Sequence, residues 1–180
     1  MKGTICTTLA AASKGANVHI IGCISTIGLI HYEIQRGSFK KENAKAWMET
    51  CLRQSMIRHG EPVVMVVDNA PCHSQLEEVL QGQEFRQNKI IRLGPYSPML
   101  NPIENVWSVV KSYVKRELSK KLAGIVSGRS ELSIREHRLR ALESLMEEGL
   151  QTITPTICAN SVASIQRKFP AALNLEDMQY

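Results

Sequence analysis

The sequence predicts an α/β fold in which a mixed β-sheet is flanked by helices. Two kinds of segment alternate along the chain: short runs of β-branched and apolar residues, and longer stretches with apolar residues at helical spacing. The order strand, strand, helix, strand, helix, strand, helix is typical of helices packed on a sheet that contains parallel strands. With 180 residues, 43% of them hydrophobic, the chain is long enough to bury a sizeable core.

Strands are predicted where β-branched and apolar residues run between turn residues. The run VVMVV is apolar on both alternating faces, which favours a strand that is covered on both sides. The predicted strands are Thr4–Ala12, Val18–Ser25, Leu29–Gln35, Val63–Val67 and Lys89–Leu93.

Helices are predicted where apolar residues recur every three to four positions. Asn101 as the N-cap and Pro102 at the first helical position indicate the start of a long helix. Residues 124–130, which contain glycine and serine, are the candidate for a mobile linker. The other predicted helices are Lys40–His59, Gln75–Phe85, Glu131–Leu150 and Pro155–Phe169.

Composition and charge exclude several classes of protein. No apolar run approaches the roughly 20 residues needed to span a bilayer, and we expect no signal peptide. Five scattered cysteines without a C-x-x-C pair argue against a disulfide framework or a zinc cluster and favour a reducing compartment. The net charge is +5, and the basic excess between Lys111 and Arg140 suggests a surface for a polyanion. A solvated helix face explains the same charges equally well.

Two acidic residues stand where chemistry could occur. Asp68 directly follows the run VVMVV, and ligands of open α/β sheets bind beyond the carboxyl ends of strands. Asp-Asn before proline is also common in turns, because both side chains form hydrogen bonds to the nearby backbone. Glu104 fits a capping box with Asn101 and is favoured by the helix dipole, so it needs no chemical role. The segment Ser74–Glu77 fits a cap in the same way, so Glu77 needs no chemical role either. His73 lacks the partner spacing of a zinc site.

Taken together, two segments resemble the catalytic signatures of the mariner-like DDE transposases. Val63–Ser74 (VVMVVDNAPCHS) is similar to a hydrophobic strand that ends in Asp-Asn-Ala-Pro-x-His. Gly94–Lys111 (GPYSPMLNPIENVWSVVK) is similar to Pro-x-Ser-Pro-x-Leu-Asn-Pro-Ile-Glu-x-x-Trp. The interval between Asp68 and Glu104 also falls in the family's range, and the resemblance covers residues 4–118.

The resemblance implies a ribonuclease-H-like fold in which three acids hold two divalent cations for DNA strand cleavage and transfer. Asp68 and Glu104 would be catalytic and metal-binding, with Mg²⁺ or Mn²⁺ as the cofactor. The implied partner is DNA, the implied location is the nucleus, and a homodimer is left open. The residues expected to contact nucleic acid are Asn69, His73, Lys111 and Lys115. For the two lysines, an ordinary solvent-facing position explains the sequence equally well.

The sequence departs from the family pattern at the first acid. Residues 1–67 contain no Asp, and Glu33, Glu42 and Glu49 do not fall at a predicted strand end. We therefore expect the chain to begin after the first catalytic strand, so that this central strand is missing. Since two acids cannot hold two metal ions as three do, we expect strand transfer to be severely impaired or absent.

The expected organisation is a truncated DDE catalytic domain over residues 1–118 and a helical C-terminal extension over residues 119–180 that packs on it. Two other functions are compatible with the same motifs. One is a non-catalytic nucleic-acid-binding module that uses the basic stretch, and the other is an inert transposon remnant.

Overall fold

A computed structural model of the chain describes residues 17–95, 97–127 and 133–174. Within these ranges the architecture is α/β, as the sequence predicts, with four strands and five α-helices. No helix in these ranges has both the length and the apolar character that a bilayer crossing requires. The elements are β1 (Val18–Ser25), β2 (Gly28–Arg36), α1 (Lys41–His59), β3 (Val64–Val67), β4 (Lys89–Arg92), α2 (Ile103–Ser127), α3 (Ile134–Gln151), α4 (Pro155–Gln166) and α5 (Phe169–Leu173).

The four described strands form two separate two-stranded sheets. β1 and β2 pair in antiparallel orientation as the predicted hairpin. β3 and β4 pair in parallel, with Val67 opposite Arg92 at their carboxyl ends. Parallel and antiparallel pairs are both present, as predicted, but among the described residues they form two sheets rather than one mixed sheet. The strand predicted at Thr4–Ala12 lies outside the described residues.

Helix α1 forms the larger core and joins the two sheets on one face. Its side chains Trp47, Met48 and Leu52 are buried in one hydrophobic cluster with Met65 and Val67 of β3. Partly buried residues of β1 and β4 pack against the same cluster. Burial of each large apolar side chain stabilises the folded state by about 1.5–3 kcal/mol. This shared core therefore holds the two sheets side by side.

The opposite faces of the two sheets differ. Apolar residues of α2 and α4, with Val106 and Val110 as the buried centre, cover the second face of the β1–β2 hairpin. On the β3–β4 pair, in contrast, Val64, Val66 and Ile91 are about half exposed. The prediction of a strand at 63–67 is therefore confirmed, but its coverage on both sides is wrong for the described structure. The reason is that the C-terminal helices pack on the hairpin instead.

Two predicted helix boundaries differ from the structure. The segment predicted as a helix over Gln75–Phe85 forms a 3₁₀ helix over Leu76–Gln81, which ends at Gly82. Residues 124–127, predicted as linker, continue α2, and residues 128–130 lie outside the described ranges. A single glycine costs a helix only about 1 kcal/mol, which the rest of α2 tolerates. The predicted domain boundary at 118/119 falls inside this helix.

The C-terminal helices are tied to the hairpin by ion pairs as well as by apolar contacts. The guanidinium of Arg36, the last residue of β2, donates to Glu143 at 2.5 and 2.6 Å and to Glu136 at 2.9 and 3.1 Å. These hydrogen bonds hold the pKa of Glu143 below its ordinary value. Helix α3 is thereby fixed across the edge strand of the hairpin.

Helix α2 packs against β1 where Trp107 lies over Gly22. A Cβ atom added to Gly22 would lie 2.7 Å from Cη2 and 3.2 Å from Cζ2 of the Trp107 ring. Only glycine therefore leaves room for the ring in this position. Glu104 lies one helical turn before Trp107, so this contact also determines where the Glu104 carboxylate stands.

We predict that Gly22→Ala lowers the free energy of unfolding by about 1–3 kcal/mol, because the added methyl overlaps the Trp107 ring. Urea denaturation of the full chain measures this. Gly82→Ala is the matched control: its Cβ would be 3.4 Å from the nearest atom, so we expect a change within about 0.5 kcal/mol. In a Trp107→Leu background, Gly22→Ala should cost less, and equal costs in both backgrounds would contradict the proposed overlap.

Candidate active site

Asp68 and Glu104 line one pocket, although 35 residues separate them in the sequence. Asp68 directly follows β3, and Glu104 lies in the first turn of α2. The pocket has a volume of about 450 Å³, and Asn69, Ser97 and Asn101 add polar groups to its wall. Both carboxylates are half-buried, so they remain accessible from the pocket.

Strand pairing and helix capping bring the two acids to the same pocket. Parallel pairing places the loops after β3 and β4 at the same edge. The loop after β4 leads to Asn101, whose Oδ1 accepts a hydrogen bond from the Ile103 N–H at 3.3 Å and begins α2. This confirms the predicted N-cap. The N-terminal amides of α2 also provide a positive potential beside Glu104.

The Asp68 carboxylate is held by two contacts on the same oxygen. Oδ1 accepts a hydrogen bond from the Ala70 N–H at 3.0 Å and lies 2.6 Å from Nδ1 of His73. Because an ionised carboxylate can only accept, Nδ1 must carry the proton in this contact. Asn69 donates from Nδ2 to the Leu93 carbonyl at 2.5 Å and joins the loops after β3 and β4. His73 and Asn69 thus both support the Asp68 loop.

Sequence reasoning missed Arg92, which connects this loop to β4. Its guanidinium donates to both carboxylate oxygens of Glu77, at 2.6 and 2.8 Å, and to the His73 carbonyl at 2.7 Å. The hydrogen bonds from Arg92 hold the pKa of Glu77 below its ordinary value. The expected cap at Ser74–Glu77 is wrong, because the N-cap of the 3₁₀ helix is Gln75 and makes no side-chain cap hydrogen bond. The only signal in the sequence was that Arg92 lies near the carboxyl end of the predicted strand Lys89–Leu93.

Lys111 and Lys115 line a second pocket, a groove that shares the lining residue Glu104 with the first pocket. The groove has a volume of about 520 Å³ and runs between α2 and the start of β1, with His19 and Trp107 in its wall. The lysines follow Glu104 by about two and three helical turns, on the same side of α2. Both are exposed. The structure therefore brings them to the neighbouring groove rather than to the acidic pocket.

The donor atoms fit a hard divalent cation in part. Asp68 and Glu104 offer carboxylate oxygens, which Mg²⁺ and Mn²⁺ prefer. Burial raises the pKa of the nearby Cys72 thiol and so favours its neutral form. In the part of the chain that the structure describes, no three His, Cys, Asp or Glu residues are grouped so that they could hold a metal ion. The pocket thus provides two of the three acids that the resemblance implies.

Comparison with known proteins agrees with these features. The sequence model of the DDE superfamily endonuclease family matches residues 1–123 of the chain. No curated protein sequence matches the chain. Among solved structures, the chain is similar to the Mos1 mariner paired end complex with Mn, with a TM-score of 0.66 and 14% identity over 99% of this chain and 49% of that chain.

It is also similar to the Mos1 transposase paired-end complex with the left transposon end, with a TM-score of 0.64 and 14% identity over 97% of this chain and 48% of that chain. The chain thus spans about half the length of these transposase chains. The structural likeness confirms the predicted ribonuclease-H-like fold. Because the family model covers more than half of its residues, the chain belongs to the DDE superfamily endonuclease family.

Proposed function

We propose that the chain contributes Asp68 and Glu104 to a centre for DNA strand cleavage and transfer that depends on divalent metal ions. The observation that carries the proposal is that these two carboxylates, from separate motifs, line one pocket. Membership of an endonuclease family supports the reaction class. The two similar structures, which are paired-end complexes with Mn or with a transposon end, support DNA and a divalent metal as the partners.

The chain's own residues would bind the metal ion and fix its position. When bound, a divalent ion supplies Lewis-acid activation of the attacking oxygen and of the scissile phosphate. Asp68 and Glu104 would be its ligands, and the Ala70 N–H and His73 would keep the Asp68 carboxylate in one orientation. Without a cation, two carboxylates would repel a phosphate from this pocket.

Lys111 and Lys115 would hold DNA beside the acids. Exposed lysines neutralise phosphates at low desolvation cost, and the groove that contains them shares the lining residue Glu104 with the acidic pocket. This arrangement also supports the alternative of a non-catalytic DNA-binding module, since the groove does not require the carboxylates for binding. The homodimer and the nuclear location stay predictions.

The complete centre needs a third carboxylate in addition to the two that the described pocket provides. We therefore propose that metal binding by this chain is weaker than at a three-acid site and that strand cleavage is slow. Metal binding and cleavage then have to be measured separately, because the first tests the two carboxylates and the second tests the complete reaction.

We predict that Mn²⁺ raises the unfolding temperature of the full chain and that Asp68→Asn and Glu104→Gln each remove most of this increase. Ligand binding to the folded state stabilises it by about 2.7 kcal/mol at a hundred times the Kd, and each substitution removes one anionic ligand. A thermal-shift titration with Mn²⁺ measures the effect. The matched control is Glu61→Gln, an exposed carboxylate outside the pocket, which should keep the full response. An undiminished response in both site variants would contradict the proposed ligands.

Nicking of supercoiled plasmid DNA in Mn²⁺ tests the chemistry. We expect the parent chain to nick slowly, and we expect any nicking to disappear in Asp68→Asn and in Glu104→Gln. Nicking that persists in both variants would show that the pocket is not the site of cleavage. DNA binding that survives in both variants without any nicking by the parent would favour the binding module instead.

We predict that the double variant Lys111→Gln/Lys115→Gln binds duplex DNA more weakly. The fall of log affinity with log salt should become less steep by about 2, because each lost phosphate contact removes about one unit of slope. Titration of a labelled duplex at several salt concentrations measures both quantities. Lys120→Gln/Lys121→Gln is the matched control on the same helix. Those lysines pair with Glu117 at 2.9 Å and Glu148 at 3.6 Å. Equal losses in the two double variants would indicate a non-specific charge effect.

A further inference from the structure

We infer that Arg92, which lies outside both sequence motifs, is a positioning residue for the Asp68 carboxylate and acts through His73. The inference rests on the proposed function, because it explains how the chain prepares Asp68 to bind a metal ion. Arg92 is the last residue of β4 and stands opposite Val67, the residue that precedes Asp68.

The Arg92 guanidinium connects three parts of the site. Nε and Nη2 donate to the two carboxylate oxygens of Glu77, and Nη2 also donates to the main-chain carbonyl of His73. The planar fork makes these contacts simultaneously, which the single ammonium group of a lysine cannot reproduce with the same geometry. Glu77 therefore orients Arg92, and Arg92 holds the backbone at His73.

His73 passes this restraint to Asp68. It ends a single 3₁₀ turn of three residues, Pro71–His73, which is too short to fix its own geometry. With its carbonyl held by Arg92, its ring stays 2.6 Å from Oδ1 of Asp68. The Ala70 N–H binds the same oxygen, so Oδ2 is the oxygen that can serve a metal ion. Outer groups of this kind orient metal ligands and change metal affinity about 10–100-fold when they are removed.

An ordinary surface ion pair would have no such effect. Arg53 and Glu84 form one elsewhere in the molecule, with two hydrogen bonds at 2.8 and 3.1 Å. The Arg92–Glu77 pair has a third hydrogen bond, to the His73 carbonyl. The Arg53 guanidinium instead lies over the Phe85 ring, 5.1 Å from its centroid. Arg53→Met therefore removes a comparable ion pair and is a matched control for Arg92→Met.

The test compares Mn²⁺ affinity and the imidazole NMR spectrum of the full chain. We expect Arg92→Met and Arg92→Lys to weaken Mn²⁺ binding about tenfold and to change the ¹⁵N and ¹H signals of the His73 ring. Arg53→Met should change neither. His73→Phe should weaken binding as much as Arg92→Met, and the double variant should lose no more than either single variant, because both act through one contact.

Rescue by a conservative variant separates positioning from general stability. The amide nitrogen of Asn occupies the same place in the side chain as Nδ1 of His, so His73→Asn should keep most of the Mn²⁺ affinity that His73→Phe loses. If Arg92→Met binds Mn²⁺ as the parent does, or if it leaves the His73 signals unchanged, the inference is wrong.

Failure of the proposed function gives a different result. If the parent chain does not bind Mn²⁺ at all, the metal centre is refuted and the His73 spectrum alone decides the inference. Ring signals that change in Arg92→Met but not in Arg53→Met would still establish that Arg92 positions the His73 imidazole that contacts Asp68. Unchanged signals would overturn it.

Discussion

The parallel pairing of β3 with β4 is the constraint on which the acidic pocket depends. Parallel strands end at the same edge, so the loop that carries Asp68 and the loop that leads to Glu104 leave the sheet together. The register matters as much as the direction, because it places Arg92 beside the strand end that precedes Asp68. A slip of one residue would turn Arg92 to the opposite face of the sheet and remove its contact with His73.

Two further contacts connect the rest of the molecule to this edge. Helix α1 provides the apolar core shared by both sheets, and the Trp107 ring over Gly22 holds the start of α2 on β1. Glu104 therefore depends on the hairpin for its position, while Asp68 depends on the β3–β4 pair. Because the two described sheets are not hydrogen-bonded to each other, the relative position of the two acids depends on side-chain packing rather than on a continuous sheet.

The sequence was sufficient for the features that depend on local chemistry. β-branched runs predicted the strands, the Asn101-Pro102 cap predicted the start of α2, and the two motifs predicted that Asp68 and Glu104 converge. It was insufficient where contacts depend on register or on packing partners. Arg92 and Glu77 are 15 residues apart and meet only through the β3–β4 pairing. Likewise, the run VVMVV indicates an apolar strand but not which of its faces receives a helix.

The convergence of two carboxylates favours a metal centre over a simple binding module. Like charges in one pocket repel each other and repel a phosphate, so they weaken DNA binding unless a cation lies between them. A module that only binds DNA would need the Lys111 and Lys115 groove and would gain nothing from Asp68 and Glu104. The chain nevertheless holds Asp68 by His73 and supports His73 through Arg92. This much support for a carboxylate is expected where its orientation matters, as it does for a metal ligand.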